Sequence, residues 1–119
     1  MTTVKLDEVF SRISTYWDPH IAGELNGQHV KCVKLKGEFT WHHHDNEDEL
    51  FLVHRGVLHL RLRDRTVVVS PGEFFIVSRG IEHQPHAPDE VEAVLFEPAG
   101  TLNTGNTRNE FTKDVLKRV

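Results

Sequence analysis

The sequence predicts a small all-β domain, a sandwich or jelly-roll barrel of roughly eight to ten short antiparallel strands. Glycine and proline punctuate the chain at short intervals, at Pro19, Gly23, Gly27, Gly37, Gly56, Pro71, Gly72, Gly80, Pro85, Pro88, Pro98 and Gly100. The runs between them are short and rich in Val, Ile, Leu and Phe, as strands joined by tight turns are. Two runs also alternate with period two. In "VLHLRLR", Leu58, Leu60 and Leu62 oppose His59, Arg61 and Arg63, giving one core face and one wet face. In "EVEAVLFE", Val91, Ala93 and Leu95 oppose Glu92, Val94 and Phe96, so its later part is apolar on both faces.

Along the chain, "LDEVFSRI" comes first, with Leu6, Val9, Phe10 and Ile13 at helical intervals and Asp7 and Glu8 in the first turn. That spacing predicts a short N-terminal helix. "VKCVKLKG" alternates imperfectly, which predicts a bulge or a strand wetted at its edge. "TWHHH" and "ELFLV" read as two strands of a hairpin whose turn is the acidic run 45–48. Beyond Pro98, "AGTLNTGNTRNE" is turn-rich, and "NEFTKDVLKRV" has the composition to close with a short helix. No internal repeat interrupts this order, and 119 residues suit one domain over 1–119 with one modest core.

Composition narrows the function classes. Fourteen basic and eighteen acidic side chains give a net charge of −4, with the basic ones scattered. That balance argues against nucleic acid and anionic membrane as partners. No run approaches the ~20 apolar residues that span a bilayer, and the N-terminus lacks the apolar core of a signal peptide, so a cytoplasmic protein is expected. Cys32 is the single cysteine, which excludes an internal disulfide and suits a small buried apolar residue.

The chemistry concentrates in "FTWHHHDNEDELFLVHRG". A strand sends residues i and i+2 to one face, so His42 and His44 converge while Trp41 and His43 point away. The hairpin return can bring the Glu49 carboxylate beside them, as a His-x-His-x4-Glu set, and His83 in "SRGIEHQPH" is a fourth candidate that only the fold can deliver. Taken singly, a histidine cluster is more often surface and an acidic run more often a solvated turn. A calcium loop would need acidic or amide residues at alternate positions around a glycine, which this run lacks.

These stretches resemble the two motifs of the cupin superfamily. The segment from Gly37 to Gly56 is similar to the first motif, a glycine followed by His-x-His, Glu and a closing glycine; "GEFFIVSRGIEH", with Gly72, Gly80 and His83, is similar to the second. The motifs cover about residues 37–56 and 72–87. Gly37 stands one residue nearer His42 than is usual, Ser78 replaces a proline, and Ala87 stands where asparagine is frequent. The resemblance implies an antiparallel jelly-roll β-barrel with His42, His44, Glu49 and His83 as ligands of one divalent transition metal. Three neutral imidazoles and a carboxylate accept iron, manganese, nickel, copper or zinc.

Thr40, Phe51 and Val53 are in phase with ligands and are expected to line the pocket. His54, His59, Arg61 and Arg63 are expected outside. Gln84 and His86, just past His83, are expected near the mouth, on the loop surface or as contacts to substrate. Phe39 and Trp41 are expected opposite the ligands, beneath the N-terminal segment or in a subunit contact. Two functions fit: a small isomerase, lyase or dioxygenase acting on an oxygen-rich organic substrate, or a metal-dependent binding or sensing module without turnover. A phosphate substrate would want a basic pocket, which the arginine positions do not supply. No catalytic residue stands out beyond the metal ligands. A homodimer is expected from exposed strand edges and an apolar outer face around Phe39 and Trp41.

Overall fold

Strand β7 (His83–Pro98) is the spine of the molecule, hydrogen-bonded along one side to β2 (Gln28–Glu38) and along the other to β4 (Leu58–Leu62) and then β3 (Glu49–Arg55). The computed structural model describes residues 1–119. One wing runs outward from β7 through β4 to β5 (Thr66–Val69); the other runs through β3 to β6 (Phe74–Val77). On the far side β2 continues to β1 (His20–Leu25) and then to the two-residue β8 (Lys117–Arg118), which lies parallel to β1. The wings fold toward each other as a jelly roll whose sheet is not closed, because β5 and β6 each have one free edge.

The core fills the space between the wings. Residues of odd number on β2 and β7 face it, Val33 and Leu35 from one and Val91, Ala93 and Leu95 from the other, and they meet Phe51, Val53, Leu58, Leu60, Val69 and Val77. The outer face of the same two strands is dry as well. Helix α1 (Leu6–Ser11) lays Val9 and Phe10, with Ile13 just beyond, over Cys32 and Val94. A helix of six residues is too short to persist alone, so this burial is what holds it. It also explains the imperfect alternation of "VKCVKLKG": both faces of β2 are covered, and the expected bulge falls between Leu35 and Gly37.

Two expectations fail. "NEFTKDVLKRV" forms turns and then β8 rather than a closing helix, since pairing with β1 captures its end. Pro85 and Pro88 do not break the chain into a loop either. Strand β7 runs through both: Pro85 stands in register opposite Leu60, and Pro88 falls where β7 has two extra residues between the Gly37↔Ala87 and Leu35↔Val91 pairs, a bulge at which proline is tolerated. No helix is long and apolar enough to cross a membrane.

Candidate metal centre

The four candidate side chains come from three places. His83 is the first residue of β7, Glu49 the first of β3, and His42 and His44 lie in the connection between β2 and β3. That connection is pinned from both sides. His42 and His83 exchange a pair of backbone hydrogen bonds (3.0 and 2.9 Å), Gly80 N–H donates to the His44 carbonyl (2.8 Å), and Asn106 N–H donates to the His43 carbonyl (3.0 Å). The imidazole rings of His42 and His83 are thereby brought to 4.3 Å between centroids.

All four side chains are more than nine-tenths buried, and one ligand atom from each lies within 4.8 Å of every other. Glu49 Oε1 stands 3.5 Å from Nε2 of both His44 and His83. His42 and His83 each use Nδ1–H to donate to a nearby carbonyl, of Thr40 and Ile81 respectively, at 2.9 Å. Such bonds fix the tautomer and leave Nε2 as a lone pair. The Nε2 atoms of His44 and His83 and Oε1 of Glu49 have no hydrogen-bond partner although buried. Orphaned buried acceptors cost roughly 1–3 kcal/mol each, and these converge on one point, where a cation would satisfy them all.

The protonation states suit a cation too. Burial, reinforced by the neighbouring His83, pushes the His42 pKa down to about 4, so its ring is neutral near pH 7. Burial alone would raise the Glu49 carboxyl, but the polar side chains packed around it, Glu97, His44 and His83, outweigh it and hold the group well below the usual carboxylate range. The cluster therefore offers three imidazoles and one anion, the donor set of a divalent first-row metal.

The sequence pattern that defines the cupin domain matches residues 30–98. The chain belongs to the cupin superfamily. A cupin-2 domain protein of Shewanella frigidimarina NCIMB 400 has a structure similar to this cupin, with 34% identity, a TM-score of 0.80, and 81% of this chain and 94% of that one covered. The protein NMB1881 of Neisseria meningitidis is similar at 26% identity and a TM-score of 0.75, over 82% of this chain and all of that one. An uncharacterised protein of Bacillus subtilis (strain 168), YdbB, is 34% identical over 62 residues, 51% of this chain. The match spans only about half of that relative, 55% of its length.

A small apolar pocket opens beside the cluster in this cupin. It has about 40 Å³ within reach of the centre of a water molecule, and His42 and Glu49 form its floor. Phe51 is in its wall, as expected; Val53 is buried in the core but outside the lining, and Thr40 contributes only its carbonyl. Phe39 is the main correction. It lies inside, stacked on Trp17 at 4.7 Å and edge-on to His42 at 5.5 Å, and it lines the pocket. The assumption of continuous alternation fails here because β2 ends at Glu38, and the irregular residues 40–41 let Phe39 and His42 share a face. Trp41 does stay outside, under the Arg63 guanidinium. An outer apolar face around Phe39 and Trp41 therefore does not exist.

Gln84 and His86 are not at the mouth. They lie on the outer face of β7, where both bond Arg61, which also pairs with Glu38. His59 stands beside His86 on that face, as expected of a surface residue. His54 likewise lies outside, with Asp7 and Glu92, and Arg55 supplies the cation to both carboxylates there.

Several residues of the site carried no usable sequence signal. Trp17, Pro19 and Asn103 come into the wall from the flanks of the barrel, and Phe111 backs Trp17 and Phe39. Lys31 and Glu97 did carry one. Each is a charged residue in phase with an inward apolar series, and both are buried behind the cluster, Lys31 Nζ lying 2.7 Å from Glu97 Oε1.

Proposed function

We propose that this cupin, as one domain over residues 1–119, holds one divalent transition metal on His42, His44, Glu49 and His83 and binds a small organic ligand in the adjoining pocket. The observation that carries this reading is the convergence of three buried, unpartnered ligand atoms on one point. When bound, such a metal supplies Lewis acidity toward a carbonyl or hydroxyl of the ligand.

The chain's own part is to shape and dry the pocket. Val33, Leu35, Phe51 and Leu95 line it together with Trp17, Phe39 and Pro85. A polyhydroxylated ligand would leave hydroxyls without partners against these walls, at a cost that a compact apolar body avoids. Within the oxygen-rich class, the lining favours a ligand with one or two adjacent oxygens at the floor and little other polarity, a diketone or catechol before a uronate. Asn103 is the one amide in the wall, and its side chain is spent on holding the backbone at Phe111 and Lys113. Because the wall contains no titratable group besides His42 and Glu49, binding without turnover is the second reading.

Metal analysis tests the centre. The purified protein should carry about one transition metal per chain, and His42→Ala, His44→Ala and His83→Ala should each strip most of it while strand content by circular dichroism persists. His43→Ala should change little. Equal metal content in all four variants would refute the ligand assignment. Turnover of a diketone, catechol or uronate by the loaded protein would decide for an enzyme, and thermal stabilisation without turnover for a binding module.

A further inference from the structure

The pocket at the metal centre carries no lysine or arginine, but a second concavity on the outside of the barrel does. The segment that follows α1, the start of β1 and the end strand β8 enclose an open hollow of about 380 Å³, lined by Arg12, Ser14, Thr15, His20, Lys117 and Arg118. Val119 is the one apolar member of the lining, and its N–H is spent on the Ile21 carbonyl at 3.0 Å. In a chain of net charge −4, no Asp or Glu side chain lines this hollow. The two concavities share no residue, although Trp17 and Pro19, from the same stretch as Thr15 and His20, line the other one.

Its cations are ones that the fold leaves unpaired. Every other arginine of the chain has a carboxylate partner, and Arg12 has none. Lys117 has none either. It stands opposite His20 in the parallel pairing of β8 with β1, and residues paired across neighbouring strands share a face, so the ammonium and the imidazole lie together. Arg118, the next residue, is held by Glu24 at 3.2 Å. Asp18, the carboxylate nearest in sequence, is buried and accepts from the Thr15 hydroxyl at 2.9 Å, while its carbonyl accepts from His20 Nδ1–H at 2.6 Å. Those two bonds fix the wall of the hollow. The backbone N–H groups of Ser14 and Thr15 and the Ser14 hydroxyl donate to no acceptor of the chain.

We propose that this hollow binds the phosphate group of a free phosphate monoester, with Arg12 and Lys117 supplying charge and Ser14 and Thr15 supplying neutral hydrogen-bond donors. Two fixed positive charges match the charge of about −1.5 to −2 that a phosphate monoester carries near pH 7. A guanidinium adds paired N–H donors in the geometry of two phosphate oxygens. The molecule as a whole is negative, so an extended anionic surface is repelled where a small anion can still enter. The inference is independent of the metal-centre reading above.

The test is a titration with methyl phosphate at constant ionic strength, followed by amide and arginine side-chain NMR, on chelator-stripped protein so that no anion is taken up by a metal. The signals of Ser14, Thr15 and Arg12 Nε–H should shift and saturate together. Arg12→Gln and Lys117→Gln should each weaken binding about tenfold, as the loss of one hydrogen bond to an ion does, with the melting temperature unchanged. Lys36→Gln removes the same charge from an exposed position on β2 and should leave the affinity within about twofold. Shifts that never saturate, or an equal loss in Lys36→Gln, would mean that the anion only screens the surface, and would overturn the proposal. Acetate binding as tightly as methyl phosphate would overturn the assignment to phosphate. Capture of the protein by phosphatidylglycerol vesicles without binding of methyl phosphate would put a membrane in place of the free monoester, and would overturn it too.

Discussion

His42 is where the fold changes a side chain's chemistry most. Its pKa falls from the usual 6.5 to about 4 because the ring is buried beside His83. In the unfolded chain the same ring takes a proton near pH 6.5, so between the two values the unfolded state binds more protons than the folded one. Stability of the metal-stripped protein should therefore fall as pH drops from about 6.5 to 4, with about 3 kcal/mol traceable to this residue. Urea unfolding at pH 7, 5.5 and 4, compared with His42→Gln, isolates that share; parallel losses in the two proteins would show that the ring is not held neutral. Of the proposed ligands, three were readable from the sequence at this scale because their signals are local, an i, i+2 pair and a hairpin return; His83 stands just past a turn glycine, and the fold alone brings it to the others. Phe39 was not readable. The inward face of residues 33–39 is odd and that of residues 42–44 even, and nothing in "EFTWH" announces where the chain gives up its strand geometry.

Among the elements, the segment after β7 does most to complete the site. Residues 99–112 cross the mouth of the barrel and are sewn to the histidine loop by the reciprocal bonds of His43 and Asn106, while Phe111 closes on Trp17 and Phe39. Gly105 lies where the two segments touch. A Cβ there would overlap the His43 carbonyl and press on the His42 ring, and its φ of 55° is one that side chains adopt at a cost. Gly105→Ala should lower stability by about 2 kcal/mol or more and weaken metal binding as His42 is displaced. Gly100→Ala is the control. Its φ is 87°, but nothing lies within 4 Å of an added Cβ, so it should cost about 1–2 kcal/mol and leave metal affinity alone. Paired melts and metal titrations check both, and equal metal affinities would mean that the segment does not hold the loop. The sequence marked this stretch as turn-rich without showing where it goes, since its contacts join residues about sixty positions apart.

For the molecule as a whole, the jelly roll was legible because turn residues and period two recur from end to end, and the homodimer expectation, without its outer face around Phe39, rests on the strand edges alone. The two outer strands with free edges, β6 and β5, expose Phe74 and Ile76 on the first and Val68 on the second. An unpaired apolar edge is the natural place for a second copy to add strands. Light scattering at micromolar concentration should give a dimer, and Ile76→Lys should give a monomer with unchanged metal content; a monomeric unmodified protein would remove the idea. The spine strand carries a further consequence, one of time. Since β7 supplies His83 and must pair with β2, β3 and β4 before that imidazole reaches the others, the ligand set completes only after the most distant pairings form. A metal that grips only the finished set leaves the folding barrier where it was and deepens the native well alone. Stopped-flow traces with and without saturating Zn²⁺ should then share one refolding rate, while unfolding slows by the whole of the metal's stabilisation. A faster refolding limb would place His83 beside its partners already at the barrier.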